Sequence, residues 1–245
     1  MNYIIDFNPY QITNPNPYYL ANIETNLKNN ESITNQEAID FLNTISYLTR
    51  YKLNPKLNNY DNKCDTAQSI LYYYLKNLNL KVLAKTTQHT ITNNIIGHNF
   101  LVVELIVESK KKHYLLDPTY IQFFKKDKCT KENFYINNMY PDYLLLTPDP
   151  GFFIQESMKQ SASFLLNHGF IQLNEDTAKM YGDSFYNTKT GPITSNLTFK
   201  SIPGEIYLNA FLNGSESLSI SEEKLIELNL NITPFNDIIN NSKKR

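Results

Sequence analysis

Cys64, His98 and Asp117 are the side chains whose types and order invite chemistry. Cys64 follows a polar loop and opens a predicted amphipathic helix. Unpaired backbone N–H groups and the helix dipole favour an anion at such a position. A thiolate nucleophile is stabilised there, and the Cys64 N–H is positioned to help hold an oxyanion. The commoner fate of a free cysteine is a small buried hydrophobe, and Cys64 taken alone points that way. His98, after Gly97, starts a strand-like run in which a core-facing position is ordinarily apolar. Asp117 ends the next such run, before Pro118, so a hairpin sets the two side by side. A carboxylate bonded to one imidazole nitrogen fixes the tautomer and leaves the other nitrogen for the thiol. Singly, the ordinary roles are a strand-end histidine and a turn-initiating aspartate. In series the three form a nucleophile, a base and an orienting group.

The elements that must position them are legible on both sides. Thr34 and Glu37 have the spacing of a capping box, and Ala38, Phe41, Leu42, Ile45 and Leu48 recur at helical spacing behind it. That helix ends near Tyr51, before Pro55. A loop dense in Asn, Pro and Asp spans residues 54–63, and a second helix runs from Cys64 to Leu78 with Ala67, Ile70, Leu71, Tyr74, Leu75 and Leu78 on one stripe. Strands are expected over 81–87, 97–107 and 113–117, with Lys110, Lys111 and Lys112 as a solvated hairpin tip. Helices followed by antiparallel strands give an α+β class.

The flanks are less patterned. The first thirty residues, rich in Asn, Pro and Tyr, read as surface loop. Residues 157–168 read as a helix closed by Gly169, with His168 a cation at its C-terminus. Shorter helices are expected over 175–181 and 221–228, strands over 197–202 and 205–211, and a frayed basic tail over 240–245. Residues 180–186 suit a packed surface loop better than the wall of a substrate cleft. One domain is expected, with a core of about residues 34–147 and an extension over 148–245 packed on it.

Three segments carry a family resemblance: Lys63-Cys-Asp-Thr-Ala67, Gly97-His-Asn-Phe-Leu-Val-Val-Glu104 and Tyr114-Leu-Leu-Asp-Pro-Thr119. Their order, with 34 residues from Cys64 to His98 and 19 more to Asp117, resembles the transglutaminase-like branch of the papain-like cysteine enzymes. The resemblance spans roughly residues 54–124. It implies a catalytic Cys at the start of a helix packed on an antiparallel sheet that carries His and Asp. It also implies a peptide, protein or acyl-thioester substrate and no cofactor. Papain-like enzymes often place an oxyanion-binding side-chain amide just before the nucleophile, which makes Asn58, Asn59 and Asn62 candidates. Phe100, the aromatic after the histidine, and Tyr120 are candidates for substrate contact. The chain departs from the pattern in having no tryptophan. It also lacks the Arg-Gly-Gly run that precedes the cysteine of arylamine acetyltransferases.

Composition removes other classes. A net charge of −1 leaves no basic field for nucleic acid. No run approaches the roughly 18 apolar residues that span a membrane, and no signal peptide pattern opens the chain. With two cysteines no disulfide framework is expected, so a cytoplasmic setting fits. His89, His113 and Cys129 lack metal-ligand spacing with Cys64, and no metal is expected. Three readings remain: transglutaminase-like amide formation or cleavage, a papain-like peptidase or deamidase, and a catalytically silent binding module of the same fold.

Overall fold

The Thr34 capping box is present in full: Glu37 N–H donates to Thr34 Oγ1 at 3.2 Å, and Thr34 N–H donates to Glu37 Oε2 at 2.7 Å. With both groups satisfied, helix α2 starts cleanly and runs Asn35–Leu53. The structure is a computed structural model and describes residues 16–56, 63–91, 94–123, 161, 164–184, 204–213, 216 and 218–243. Asn58, Asn59, Asn62, Cys129 and the expected strand 197–202 lie outside them.

Helix α1, Pro17–Lys28, occupies ground that composition assigns to loop. Pro17 stands where a missing N–H costs nothing, and the Asn16 side chain accepts from Tyr18 N–H. Leu20, Ile23 and Leu27 then fall on one buried face, a helical spacing hidden among Asn, Pro and Tyr. Helix α3, Cys64–Asn77, matches its expected start and stripe.

The sheet is a four-stranded antiparallel meander in the order β1-β2-β3-β4, so the α+β class holds. Its strands are β1 Lys81–Ile91, β2 Asn94–Val107, β3 Lys110–Leu116 and β4 Phe170–Leu173. The turn between β2 and β3 falls on Glu108 and Ser109, both at positive φ, so Lys110, Lys111 and Lys112 belong to β3 and not to the tip. Leu101, Val103, Leu105 and Val107 alternate along β2 and enter one core with Phe41, Leu42 and Ile45 of α2 and Ile70, Leu71 and Leu75 of α3. Each such side chain fully buried stabilises by about 1.5–3 kcal/mol. The intervening residues His98, Phe100 and Val102 take the other side of the strand, which is how a buried histidine avoids that core.

The C-terminal part is built onto this frame. β4 pairs with β3 through Leu116↔Phe170 and Leu115↔Ile171. Helix α4 spans Glu175–Ser184, α5 Gly204–Asn213, α6 Glu222–Glu227 and α7 Phe235–Ser242. α5 replaces the strand expected over 205–211: Phe211 is buried while Asn209 and Asn213 are exposed, a helical rather than a two-residue period. α7 takes up residues 240–242 of the expected frayed tail. Phe235 and Ile239, four apart, bury together, and Asn236 N–H donates to the buried Glu24 of α1, which also accepts the Tyr74 hydroxyl. Among the described residues no helix is long and apolar enough to cross a membrane.

Candidate active site

Cys64 is the first residue of α3, and the helix's first backbone bond runs from Ala67 N–H to Lys63 O at 2.9 Å. The N–H groups of Cys64, Asp65 and Thr66 therefore precede the intrahelical ladder, and the Lys63 side chain does not cap them. One turn on, the Gln68 amide donates to Lys85 O of β1 and Phe100 O of β2, both at 2.8 Å. These bonds fix the height of α3 over the sheet, and with it the position of Cys64. The thiol is 8% exposed and lies 3.8 Å from Asp65 Oδ1.

His98 Nε2 meets Asp117 Oδ2 at 2.7 Å, with His98 3% exposed and Asp117 wholly buried. The carboxylate can only accept, so Nε2 carries the hydrogen. The Thr119 N–H and hydroxyl donate to the other oxygen, Oδ1, at 3.2 and 3.0 Å, and the Tyr181 hydroxyl of α4 donates to Oδ2 at 2.5 Å. Four donors thus hold one carboxylate in place. The thiol of Cys64 hydrogen-bonds the imidazole as well. With Nε2 committed to Asp117, Nδ1 is the ring nitrogen left for the thiol.

Burial alone would push the His98 imidazole down. The Asp117 charge and hydrogen bond, then the Cys64 bond and charge, outweigh it and raise the pKa to about 9. The Gln122 amide at Nδ1 points the other way. Gln122 Nε2 is 3.1 Å from Nδ1 and 3.3 Å from Thr119 Oγ1, whose hydrogen is spent on Asp117. Set that way round, the amide offers N–H to Nδ1 and suits a neutral ring. Half a turn of the amide offers Oε1 to Nδ1–H instead, so Gln122 can accompany either protonation state.

Aromatic rings close the back of the pair. Phe100 stacks on His98 with centroids 6.4 Å apart, and Tyr181 meets Phe100 at 4.9 Å and Tyr120 at 5.6 Å. Phe211 of α5 completes the cluster, 5.5 Å from Phe100. Excluding water there strengthens the His98–Asp117 interaction.

The Asp117 turn is itself held. Arg50, buried in α2, donates Nε to Pro118 O at 2.8 Å, Nη1 to Asn167 O at 2.7 Å and Nη2 to Leu166 O at 2.8 Å. Gly169, at φ 76°, turns the chain into β4, and its carbonyl accepts Asp117 N–H at 2.8 Å. A Cβ there would stand 3.1 Å from both Pro118 Cα and Ser46 Cβ, so the glycine is required twice over. The neighbouring His168 is not the helix-end cation expected of it. Burial first, then the Arg50 charge, lower its pKa to about 4, and Nδ1 pairs with Asn43 Oδ1 at 3.1 Å.

Cys64, His98 and Asp117 thus come together. Phe100 and Tyr120, the candidates for substrate contact, are almost wholly buried and pack behind the pair. The oxyanion candidates Asn58, Asn59 and Asn62 are outside the described residues. Thr119 was visible as the third residue of Asp-Pro-Thr, and Gln122 one turn further carried no signal. Tyr181 falls in the 180–186 stretch expected as a packed surface loop; the structure places it instead on α4, fully buried.

Comparison with family models, curated proteins and solved structures gave no match. A thiol, an imidazole and a carboxylate in hydrogen-bonded series, beside a row of helix N–H groups, can transfer the thiol proton to the ring and hold an anion next to the sulfur.

Proposed function

We propose that the chain is a cysteine-dependent acyl-transfer enzyme with a papain- or transglutaminase-like fold, Cys64 the nucleophile, His98 the base and Asp117 the orienting group. The observation that carries the reading is the buried 2.7 Å bond from His98 Nε2 to Asp117 Oδ2, with the Cys64 thiol on the same imidazole. A histidine with only a structural role needs one partner. Here one face is fixed by a saturated carboxylate and the other is turned to a thiol at a helix start.

The chemistry follows from those positions. Cys64 Sγ gives up its proton to His98 Nδ1 and adds to the carbonyl carbon of a carboxamide, peptide or thioester. The resulting oxyanion is held by the Cys64 N–H and a second donor, for which Asn58, Asn59 and Asn62 are the candidates. His98 returns the proton to the leaving nitrogen or sulfur, that bond breaks, and a thioester to Cys64 remains. His98 then deprotonates an amine or water, which attacks the thioester carbon, and the C–S bond breaks to restore the thiol. An amine acceptor gives transglutaminase-like amide formation; water gives a peptidase, deamidase or thioesterase.

Intact-mass spectrometry after incubation with a glutamine-containing peptide or an acyl thioester tests this. An adduct on Cys64 that is absent from Cys64→Ala and discharged faster by a primary amine supports acyl transfer to amines. Discharge at one rate with and without amine assigns hydrolysis. No adduct with any donor, from a folded protein, makes the chain a silent module of this fold.

A further inference from the structure

Tyr181 reaches the catalytic carboxylate from outside the segments that carry the triad. It lies on α4, in the C-terminal part of the chain, and is itself fully buried. Its hydroxyl donates to Asp117 Oδ2, the same oxygen that His98 Nε2 uses, while Oδ1 is taken up by Thr119. The two donors on Oδ2 therefore share one pool of charge. Burial first, and then the Asp117 charge, hold the Tyr181 phenol well above its ordinary pKa, so it remains a donor wherever the site works. Ring contacts with Phe100, Tyr120 and Phe211 fix it in place, so the hydroxyl has no need of Asp117 to be anchored.

The geometry points to Tyr181 as a positioning residue that sets the basicity of His98: its hydroxyl withdraws charge from Asp117 Oδ2 and so weakens the hold of that carboxylate on the imidazolium. On this view the C-terminal part of the chain completes the site through α4, and is more than a cover for it. The catalytic meaning of the inference rests on the acyl-transfer reading. The titratable groups acting on His98 are Cys64 of α3 and Asp117, the residue after β3; Tyr181 of α4 faces Asp117 and Cys64. Tyr120 faces Tyr181 from a 3-10 turn, Tyr120–Phe123, and Lys85 of β1 stands opposite Phe100 in the register.

Removing the hydroxyl leaves Oδ2 to His98 alone, which strengthens the ion pair and raises the imidazole pKa. NMR titration of the His98 ring in the full chain, assigned by its loss in His98→Gln, reads this directly. Tyr181→Phe keeps the ring packing and is expected to raise the His98 midpoint by on the order of one pH unit, the worth of one hydrogen bond to a charged group. Site-specific 3-fluorotyrosine at position 181 makes the phenol a stronger donor and is expected to lower the midpoint. It also serves if Tyr181→Phe fails to fold. A midpoint unmoved by these replacements, whatever happens to the melting temperature, overturns the role, as does a shift of the opposite sign. The readout is a property of the His98–Asp117 pair. It therefore stands apart from the acyl-transfer reading, which fails instead if Cys64 reactivity is independent of His98.

Discussion

Arg50 and Pro118 are 68 positions apart, yet Arg50 Nε donates to the Pro118 carbonyl at 2.8 Å, directly behind Asp117. Through this bond a helix in the first quarter of the chain sets the angle at which the carboxylate meets His98. The same guanidinium holds Leu166 O and Asn167 O, so one cation organises the turn after β3 and the turn before β4. Arg50→Met removes the donors and leaves three inward carbonyls unpaired. The expected loss is about 3–5 kcal/mol, the range for breaking a buried charged network. Urea unfolding followed by circular dichroism measures it. Arg50→Lys recovers little, since an ammonium cannot span three carbonyls with a planar fork.

Gly169 makes a second, independent demand on the same turn. Gly169→Ala combines a left-handed backbone, which costs an L-residue roughly 1–2 kcal/mol, with a Cβ pressed on Pro118 and Ser46. A lower melting temperature is expected, with a larger fall than for alanine at an exposed loop position. Equal effects at the two sites would show that the turn relaxes freely.

Stability should depend on pH at both ends of the range through two histidines of opposite sign. His98, at about 9 in the folded chain, lies above its ordinary value of 6.5. Its contribution is complete below that value and is lost as pH rises through about 9. His168, at about 4, lies below 6.5, so its contribution is complete above that value and is lost as pH falls toward 4. Melting temperatures across pH should lose their alkaline slope in His98→Gln and their acid slope in His168→Gln. Unchanged slopes in the variants would contradict these assignments.

Gln122 Nε2 stands 3.1 Å from His98 Nδ1, the nitrogen that Asp117 leaves for the Cys64 thiol. Gln122→Leu removes one competitor and is expected to speed Cys64 alkylation near neutral pH several-fold, the worth of about 1 kcal/mol. Stopped-flow labelling with iodoacetamide measures the change. A slower rate would mean that the amide supports the imidazolium rather than contesting it.

The helix that starts at Cys64, the strands of His98 and Asp117 and the capping box at Thr34 were all readable because each is a local pattern. Capping, a two-residue or 3.6-residue period and a following proline leave a signature within a few residues. What was not readable depends on long-range packing. Nothing near Tyr181 distinguishes it from other tyrosines, because its role comes from a contact 64 positions back along the chain. His168 looks like a helix-end cation until burial, and then the charge of Arg50 118 positions away, lower its pKa. Phe100 and Tyr120 have the types that line substrate clefts, but the same types fill cores, and the packing of α4 and α5 decides between the two. The helical spacing of α1 was present in the residues and was obscured by a composition that favours loops.

The most direct test of the account is the rate of iodoacetamide labelling at Cys64 near neutral pH, with Cys129 as internal reference, in the wild type and in His98→Ala. The account predicts fast labelling at Cys64, slower labelling at Cys129, and loss of the Cys64 advantage when the imidazole is removed. Slow and equal labelling of the two thiols, unchanged by His98→Ala, would contradict it.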